Sequence, residues 1–403
     1  MIQISDRVNN LAVSATLAMS QKSGELKAAG VDVINMSVGE PDFDTPDFIK
    51  EAAKKAIDDN YSRYTAVAGY MSLREAISEK LKKENGMDFT PAQIVVGNGA
   101  KQELTNAILA TINPGDEVII PVPAWVSYVE MVKLAEGKVV TIHAGVDQDF
   151  KITPAQLEAA ITDKTRMIML NSPSNPTGSI YSYDELKGLA AVLEKSPDIL
   201  ILSDEIYEHI NFVGKDAIHS LYEFEGVRDR VMIVNGVSKA YAMTGWRIGY
   251  IAAPLPIAKA ISKLQGQYTS GASSIAQKAA EAAYLGPQQC VEDMRVAFER
   301  RRDLIVKLAR EIPGWIVNEP QGAFYLFPEV SYYIGKKAGD KVIESSADYV
   351  MYLLEEAHVA TVDGGAFCAP GYLRLSYATS DEKIEEAMRR IKDASLKLNL
   401  GEG

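Results

Sequence analysis

NGVSKAYAMTGWRIGY, residues 235–250, continues the short apolar run VMIV at 231–234. That run is apolar throughout rather than alternating, as expected of a strand covered on both faces. It ends by presenting Ser238 and Lys239, and Arg247 follows in a segment lined with Gly and Tyr. A lysine at the end of an interior strand is costly unless something offsets its charge or uses its amine. Runs of the same kind lie on either side: QIVVG (93–97), DEVIIP (116–121), KVVTIH (138–143), RMIMLN (166–171), DILILSD (198–204) and RIGYIAA (247–253). Amphipathic stretches separate them, such as GAKQELTNAILATI (99–112) and SYDELKGLAAVLEKS (182–196), the latter opening on a Ser182 cap with Glu185 three residues on. The pattern predicts an α/β fold with a mainly parallel seven-stranded sheet and helices on both faces.

A chain of 403 residues exceeds one ordinary core. Beyond residue 286 the texture changes: a long helix (287–312), strand-like GAFYLFPEV and YLRLSYATS, and helical ADYVMYLLEEAHV and DEKIEEAMRRIKDASLKL. The expected division is a large domain, 45–290, and a smaller α+β domain from 1–44 and 291–403. With 47% hydrophobic and 24% charged residues the composition is that of a globular protein, and a net charge of −12 argues against nucleic acid as partner. Cys290 and Cys368 lack metal-ligand spacing, and the four histidines, His143, His209, His219 and His358, are scattered, so no metal site is expected. The N-terminal sequence lacks a secretory pattern and no apolar run nears the roughly 20 residues of a membrane span, which together point to a reducing cytoplasm.

Ligands of open parallel sheets bind beyond the carboxyl ends of the strands. Those ends here carry Gly99, Ala100 and Lys101, then Trp125, Asn175, Asp204 with Tyr207, and Ser238 with Lys239. Each has a plain structural explanation: a tight turn at Gly99, core packing for Trp125, a turn at NPTG, a helix cap at Asp204, a surface lysine at 239. Those explanations do not predict one residue of each type at consecutive strand ends. A Gly turn opening a helix, with Ser238 and Arg247, suits a phosphate. Trp125 offers a stacking face, Asp204 a carboxylate for a ring N–H⁺, and Asn175 and Tyr207 hydrogen bonds to a ring oxygen. Lys239 offers an amine that condenses with an aldehyde. Pyridoxal 5′-phosphate meets all these demands.

SVGEPDFDTP, YTAVAGYMSLREAI, GNGAKQEL, PAWVSY, NSPSNPTG, SDEIYE, NGVSKAYAMTGWRIGY and YLRLSYATS, in this order and spacing, resemble the class I, fold type I aminotransferases over nearly the whole chain, within them the bacterial and archaeal aspartate aminotransferases. The resemblance implies that Lys239 carries the cofactor and is catalytic. It implies that Asp204 holds the pyridine nitrogen proton, that Tyr207 and Asn175 contact the ring oxygen, and that Trp125 stacks on the ring. Gly99, Ala100, Lys101, Ser238 and Arg247 would surround the phosphate. Tyr64 would reach the phosphate of a neighbouring subunit, giving a homodimer with shared active sites. Arg374 would grip the substrate α-carboxylate with help from Asn175 and the Gly39 backbone.

For specificity, Lys101, Ser14 and Thr16 match positions that meet a side-chain carboxylate in relatives, so aspartate and 2-oxoglutarate are the expected pair. Prephenate-active relatives often carry a lysine where this chain has Ala12, which argues against strong prephenate activity. Aromatic or alanine transamination stays open, as does a β-lyase on the same fold; both would keep Lys239, Asp204 and Arg374. A non-enzymatic regulator on this fold would usually add a DNA-binding segment, for which 403 residues with a net charge of −12 leave no room.

Overall fold

A computed structural model describes residues 2–338 and 341–399. Its centre is a sheet of seven strands: β1 Ile94–Gly97, β2 Glu117–Val122, β3 Lys138–His143, β4 Thr165–Asn171, β5 Leu200–Asp204, β6 Val231–Gly236 and β7 Gly249–Ala252. The spatial order is β1-β7-β6-β5-β4-β2-β3. All neighbours are parallel except β7, which runs antiparallel to both β1 and β6. The mainly parallel seven-stranded sheet expected from the sequence is therefore present.

The unbroken apolar runs follow from coverage of both faces. Along β4, Met167 and Met169 enter one buried cluster while Ile168 and Leu170 enter another on the opposite face. Along β6, Met232 and Val234 divide from Ile233 in the same way. Strand β3 departs from the two-faced pattern: at one edge of the sheet it leaves Lys138, Thr141 and His143 exposed, whereas β1, at the other edge, is covered along its length. The Ser182 cap forms as a reciprocal box: the Glu185 amide donates to Ser182 Oγ, and the Ser182 amide donates to the Glu185 carboxylate at 2.7 Å.

A further core gathers Met36 with Phe298, Ile305, Phe324, Leu326, Tyr349, Leu373, Leu375, Ile384 and Ile391. It is built on the 21-residue helix Gln289–Ala309, the helix Asp381–Asn399 and a three-stranded antiparallel sheet of Val362–Asp363, Leu373–Ser376 and Tyr325–Leu326. Near the N-terminus, Ile34–Asn35 pairs in parallel with Val359–Ala360. The stretch read as one helix over 347–359 is instead an α-helix, Ser346–Tyr352, followed by a wider turn, Leu353–Ala357. The consecutive Leu353 and Leu354 are both fully buried, in two different clusters.

Where β7 meets the helix Ala100–Thr111, backbone packs directly on backbone. A Cβ on Gly249 would lie 2.2 Å from the Ala100 nitrogen, and one on Gly236 of the adjacent strand 2.8 Å from the Gly249 Cα. No side chain can swing away to make room. Gly249→Ala is expected to cost about 1–3 kcal/mol in urea unfolding, the usual cost of overpacking; a stability within 0.5 kcal/mol of wild type, roughly the scatter of a neutral substitution, would refute this close packing.

Candidate active site

A cavity of about 400 Å³ opens beyond the carboxyl ends of β4, β5 and β6. Asn171 ends β4, Asp204 ends β5, and Ser238 and Lys239 follow β6. Its far wall comes from the segments holding Ser14, Thr16 and Gly39, and from Tyr325 and Arg374 of the small antiparallel sheet.

One end is cationic. Gly99 sits before the helix Ala100–Thr111 with φ 85°, a left-handed conformation that glycine adopts without strain. A Cβ there would lie 2.2 Å from the Arg247 guanidinium, so only glycine lets that cation reach the helix start. Arg247 donates to the carbonyls of Thr244 at 2.8 Å and Asn98 at 3.3 Å, neutral partners that leave its charge uncompensated. Ala100, Lys101 and Ser238 line the same end. The Lys101 ammonium lies 4.7 Å from the centroid of the Trp125 ring, and desolvation, followed by the charge of Arg247, lowers its pKa.

In the middle, Asp204 is 4% exposed. Its carboxylate accepts from the Tyr128 hydroxyl at 2.6 Å and from the Ile206 amide at 3.2 Å, while Asn171 donates to its backbone carbonyl at 2.9 Å. Burial raises the Asp204 pKa to about 6, against the pull of the Tyr128 bond. The Tyr207 hydroxyl lies 2.7 Å from that of Tyr325. Trp125 is half-buried and meets Tyr128 edge-on at 5.4 Å.

At the other end, Arg374 is 1% exposed. It donates to Asn175 Oδ1 at 2.9 Å and to the Ser37 carbonyl at 2.7 Å, and its Nε has no partner. The rings of Tyr325 and Phe367 lie 4.5 and 5.0 Å from the guanidinium carbon. Lys239 donates to the Gly39 carbonyl at 2.6 Å. Burial depresses its pKa to about 8, with Glu40 opposing the shift and Arg374 and Arg247 adding to it.

Of the residues singled out by sequence, Gly39, Ser14, Thr16, Ala100, Lys101, Trp125, Asn175, Asp204, Tyr207, Ser238, Lys239, Arg247 and Arg374 line one cavity, and Gly99 adjoins it. The Ser14 side chain makes no cap bond to the helix Ala15–Ala28 that it precedes. Tyr64 lies elsewhere, fully exposed and apart from the cavity of its own chain. Sequence reading missed Tyr128, Asn171, Glu40 and Tyr325. Tyr128 was findable, since it sits three residues after Trp125, at the start of the helix Ser127–Leu134; Tyr325 had no signal beyond an apolar strand.

Among the described residues, Glu84, Glu208 and His209 bring potential metal-ligand atoms within 4.8 Å of one another. The Lys80 ammonium already bonds Glu208 and lies 3.7 Å from Glu84, so a cation of the chain itself fills that group.

The Asp204 shift has a definite sign. Its folded pKa lies above the ordinary carboxylate value, so stability falls as pH rises from that ordinary value to about 6, where the cost of ionising it is complete and no longer changes. Tyr128→Phe removes a donor to the ionised form. In cofactor-free protein it should destabilise by roughly 1–3 kcal/mol at pH 7.5 and by less at pH 5, where the carboxyl is protonated with or without Tyr128. Equal losses at the two pH values, by urea unfolding, would remove Tyr128 from the tuning of Asp204.

The sequence profile of "Aminotransferase class I and II" matches residues 31–391. The aspartate/prephenate aminotransferase of Cereibacter sphaeroides is 50% identical over 390 residues, 96% of this chain and 98% of that one. Its namesake from Nitrosomonas europaea is 48% identical, over 97% of this chain and 99% of that one. The solved aspartate aminotransferase of Rhizobium meliloti superposes with a TM-score of 0.95 at 43% identity, covering 98% of this chain and 100% of that one. That of Thermus thermophilus, with maleate, does so with 0.90 at 40%, again over 98% and 100%. The chain belongs to the class I and II aminotransferases, and it is an aminotransferase of fold type I.

Proposed function

We propose that this chain moves the amino group of an L-amino acid, aspartate foremost, to 2-oxoglutarate in a ping-pong cycle, with pyridoxal 5′-phosphate held in the cavity described above. The observation that carries this reading is the half-buried Lys239 amine, its pKa depressed to about 8, in the same cavity as Asp204 and Trp125. The donor set fits the cofactor. Gly99, Ala100, Lys101, Ser238 and Arg247 suit its phosphate, and among the described residues the Arg247 guanidinium donates only to neutral carbonyls. Asp204 suits a ring N–H⁺, Tyr207 and Asn175 its ring oxygen, and the Trp125 face its ring. When bound, pyridoxal phosphate supplies an aldehyde for exchange of amines and a ring that draws electrons from the substrate Cα.

The residues do the rest. Lys239, whose pKa burial lowers to about 8, would take a proton from the substrate Cα and deliver it to the carbon that had been the cofactor's aldehyde, as base and then acid. Asp204, ionised beside a positive ring nitrogen, keeps that nitrogen protonated. Arg374 holds the α-carboxylate, for which its unpartnered Nε and its charge, bonded only to neutral oxygens, are suited. Lys101, Ser14 and Thr16 meet the side-chain carboxylate. Tyr64, exposed and away from its own cavity, reaches the phosphate of the neighbouring subunit in a homodimer with shared sites. We read the two sets of cores as two domains, 45–290 and 1–44 with 291–403, and place the protein in the cytoplasm; among the described residues no helix is long and apolar enough to cross a membrane.

Prephenate is the second reading, on the printed names of the Cereibacter and Nitrosomonas relatives. Ala12 offers it no cation: the residue is exposed, and its amide donates to Glu130 at 2.8 Å. A panel of amino donors and oxo-acid acceptors, read as kcat/KM, ranks these substrates, and release of ammonia and pyruvate without an acceptor would favour a β-lyase instead.

Lys239→Ala should take up cofactor yet lose at least about 10²–10⁴-fold in turnover, the usual contribution of a positioned acid–base group; full turnover overturns its role. Lys101→Ser should lower kcat/KM for aspartate roughly tenfold more than for alanine, as expected when one charged contact to a carboxylate is lost. Equal losses for the two substrates would exclude Lys101 from side-chain recognition.

A further inference from the structure

We propose that Tyr325 is a positioning residue for this reaction: its hydroxyl sets the direction of the Tyr207 hydroxyl, and its ring holds the Arg374 guanidinium. The proposal rests on the reading above, in which Tyr207 faces the ring oxygen and Arg374 the α-carboxylate.

Three functional groups from separate parts of the chain converge on this one side chain. Its hydroxyl lies 2.7 Å from the Tyr207 hydroxyl, with both residues buried. Its ring lies 4.5 Å from the Arg374 guanidinium carbon. Its hydroxyl also presses on the Gly39 segment, where a Cβ on Gly39 would come within 2.4 Å of it. That glycine's carbonyl accepts from the Lys239 amine at 2.6 Å.

The small antiparallel sheet produces this arrangement. Tyr325 pairs with Ser376 on the neighbouring strand, and Arg374 stands two residues before Ser376. Residues two apart on a strand share a face, so Tyr325 and Arg374 are diagonal neighbours on one side of the sheet. The Tyr325 ring on one contact and Phe367 at 5.0 Å on another leave the guanidinium little freedom, while its two terminal nitrogens donate to Asn175 and Ser37.

The hydroxyl pair carries the directional argument. One proton lies between two oxygens, and the other points away. If Tyr207 donates, the Tyr325 proton has no acceptor among the hydrogen bonds described. If Tyr325 donates, the Tyr207 proton is free to face an acceptor in the cavity. An anionic ring oxygen there selects the second arrangement, and Tyr325 thereby makes Tyr207 a donor. Burial keeps both hydroxyls protonated, which the relay requires.

The test compares wild type, Tyr325→Phe and Tyr325→Leu as holoenzymes. It reads the pH midpoint of the bound cofactor's visible absorbance, the dissociation constant of succinate as a non-reacting dicarboxylate, and kcat. In Tyr325→Phe the Tyr207 hydroxyl loses the donor that fixes its direction and polarises it, so its bond to the ring oxygen weakens, that oxygen becomes more basic, the midpoint should rise by about 0.5 pH unit or more and kcat should fall several-fold. Succinate binding should stay within about twofold, because the ring still faces Arg374. In Tyr325→Leu the succinate dissociation constant should rise about tenfold as well. A Phe variant with the wild-type midpoint, or a Leu variant that binds succinate as tightly as wild type, overturns the proposal. Wild-type protein that takes up no pyridoxal phosphate overturns the parent reading instead, before any variant is compared.

Discussion

Arg374 carries a full positive charge at 1% exposure, bonded only to an amide oxygen, a backbone carbonyl and two aromatic faces. Burying an ion without an ionic partner costs several kcal/mol. The rest of the cavity is arranged around that cost. Asn175 spends its side-chain oxygen on Arg374, and its own amide donates to Asn171 at 2.7 Å. Asn171 in turn donates to the carbonyl of Asp204. The arginine is thus tied through two asparagines to the strand that bears the buried carboxylate, and the strand ends cannot shift independently. A site that holds an unneutralised guanidinium at one end and an unneutralised Arg247 at the other is made for a ligand with an anionic group at each.

The chain's two kinds of buried charge differ in a telling way. Glu208 accepts from Lys80, from Asn85 at 2.6 Å and from Asn235 at 2.6 Å, and these partners hold its pKa down to about 2 against burial. That network is complete in itself. Asp204 and Lys239 are shifted the other way, each toward its neutral form, because the chain alone does not compensate their charge. Burial raises Glu103 and Glu205 as well, to about 8 and about 7, but outside the cavity that holds Asp204 and Lys239; the gathering of such groups in one cavity, not the shift alone, marks the functional site.

Much of this was legible in the sequence, for physical reasons that can be named. The seven apolar runs were readable because interior strands have no solvent face to interrupt them; β3, at one edge, alone breaks the pattern. The strand-end residues were readable because an open parallel sheet puts its ligands at those ends. The Ser182–Glu185 box was readable because capping is local. What escaped was set by contacts distant in sequence. Tyr128 reaches Asp204 across 76 positions and Tyr325 reaches Tyr207 across 118; Tyr128 at least stands three residues from Trp125, whereas Tyr325 leaves no mark in its own neighbourhood. The wide turn at Leu353–Ala357 escaped as well, because burial of two consecutive leucines in different clusters is a tertiary event.

Glu208 links the completed network to the open site. It stands one residue after Tyr207 and four after Asp204, and its carboxylate accepts from Asn235 at the end of β6. Asn235 Oδ1 then accepts from the Gly236 amide at 2.7 Å, three residues before Lys239. One buried carboxylate therefore registers the segment carrying Asp204 and Tyr207 against the segment carrying Ser238 and Lys239. Lys80, on the helix Met71–Asn85, holds that carboxylate from behind. Catalytic groups must stay within a fraction of an ångström of their working positions, and backbone segments fixed to one another achieve this better than side chains that are merely packed. The charge balance is what permits this division of labour: because Glu208 and Lys80 neutralise each other outside the cavity, Asp204 and Lys239 can remain uncompensated within it without loosening the strand ends that carry them.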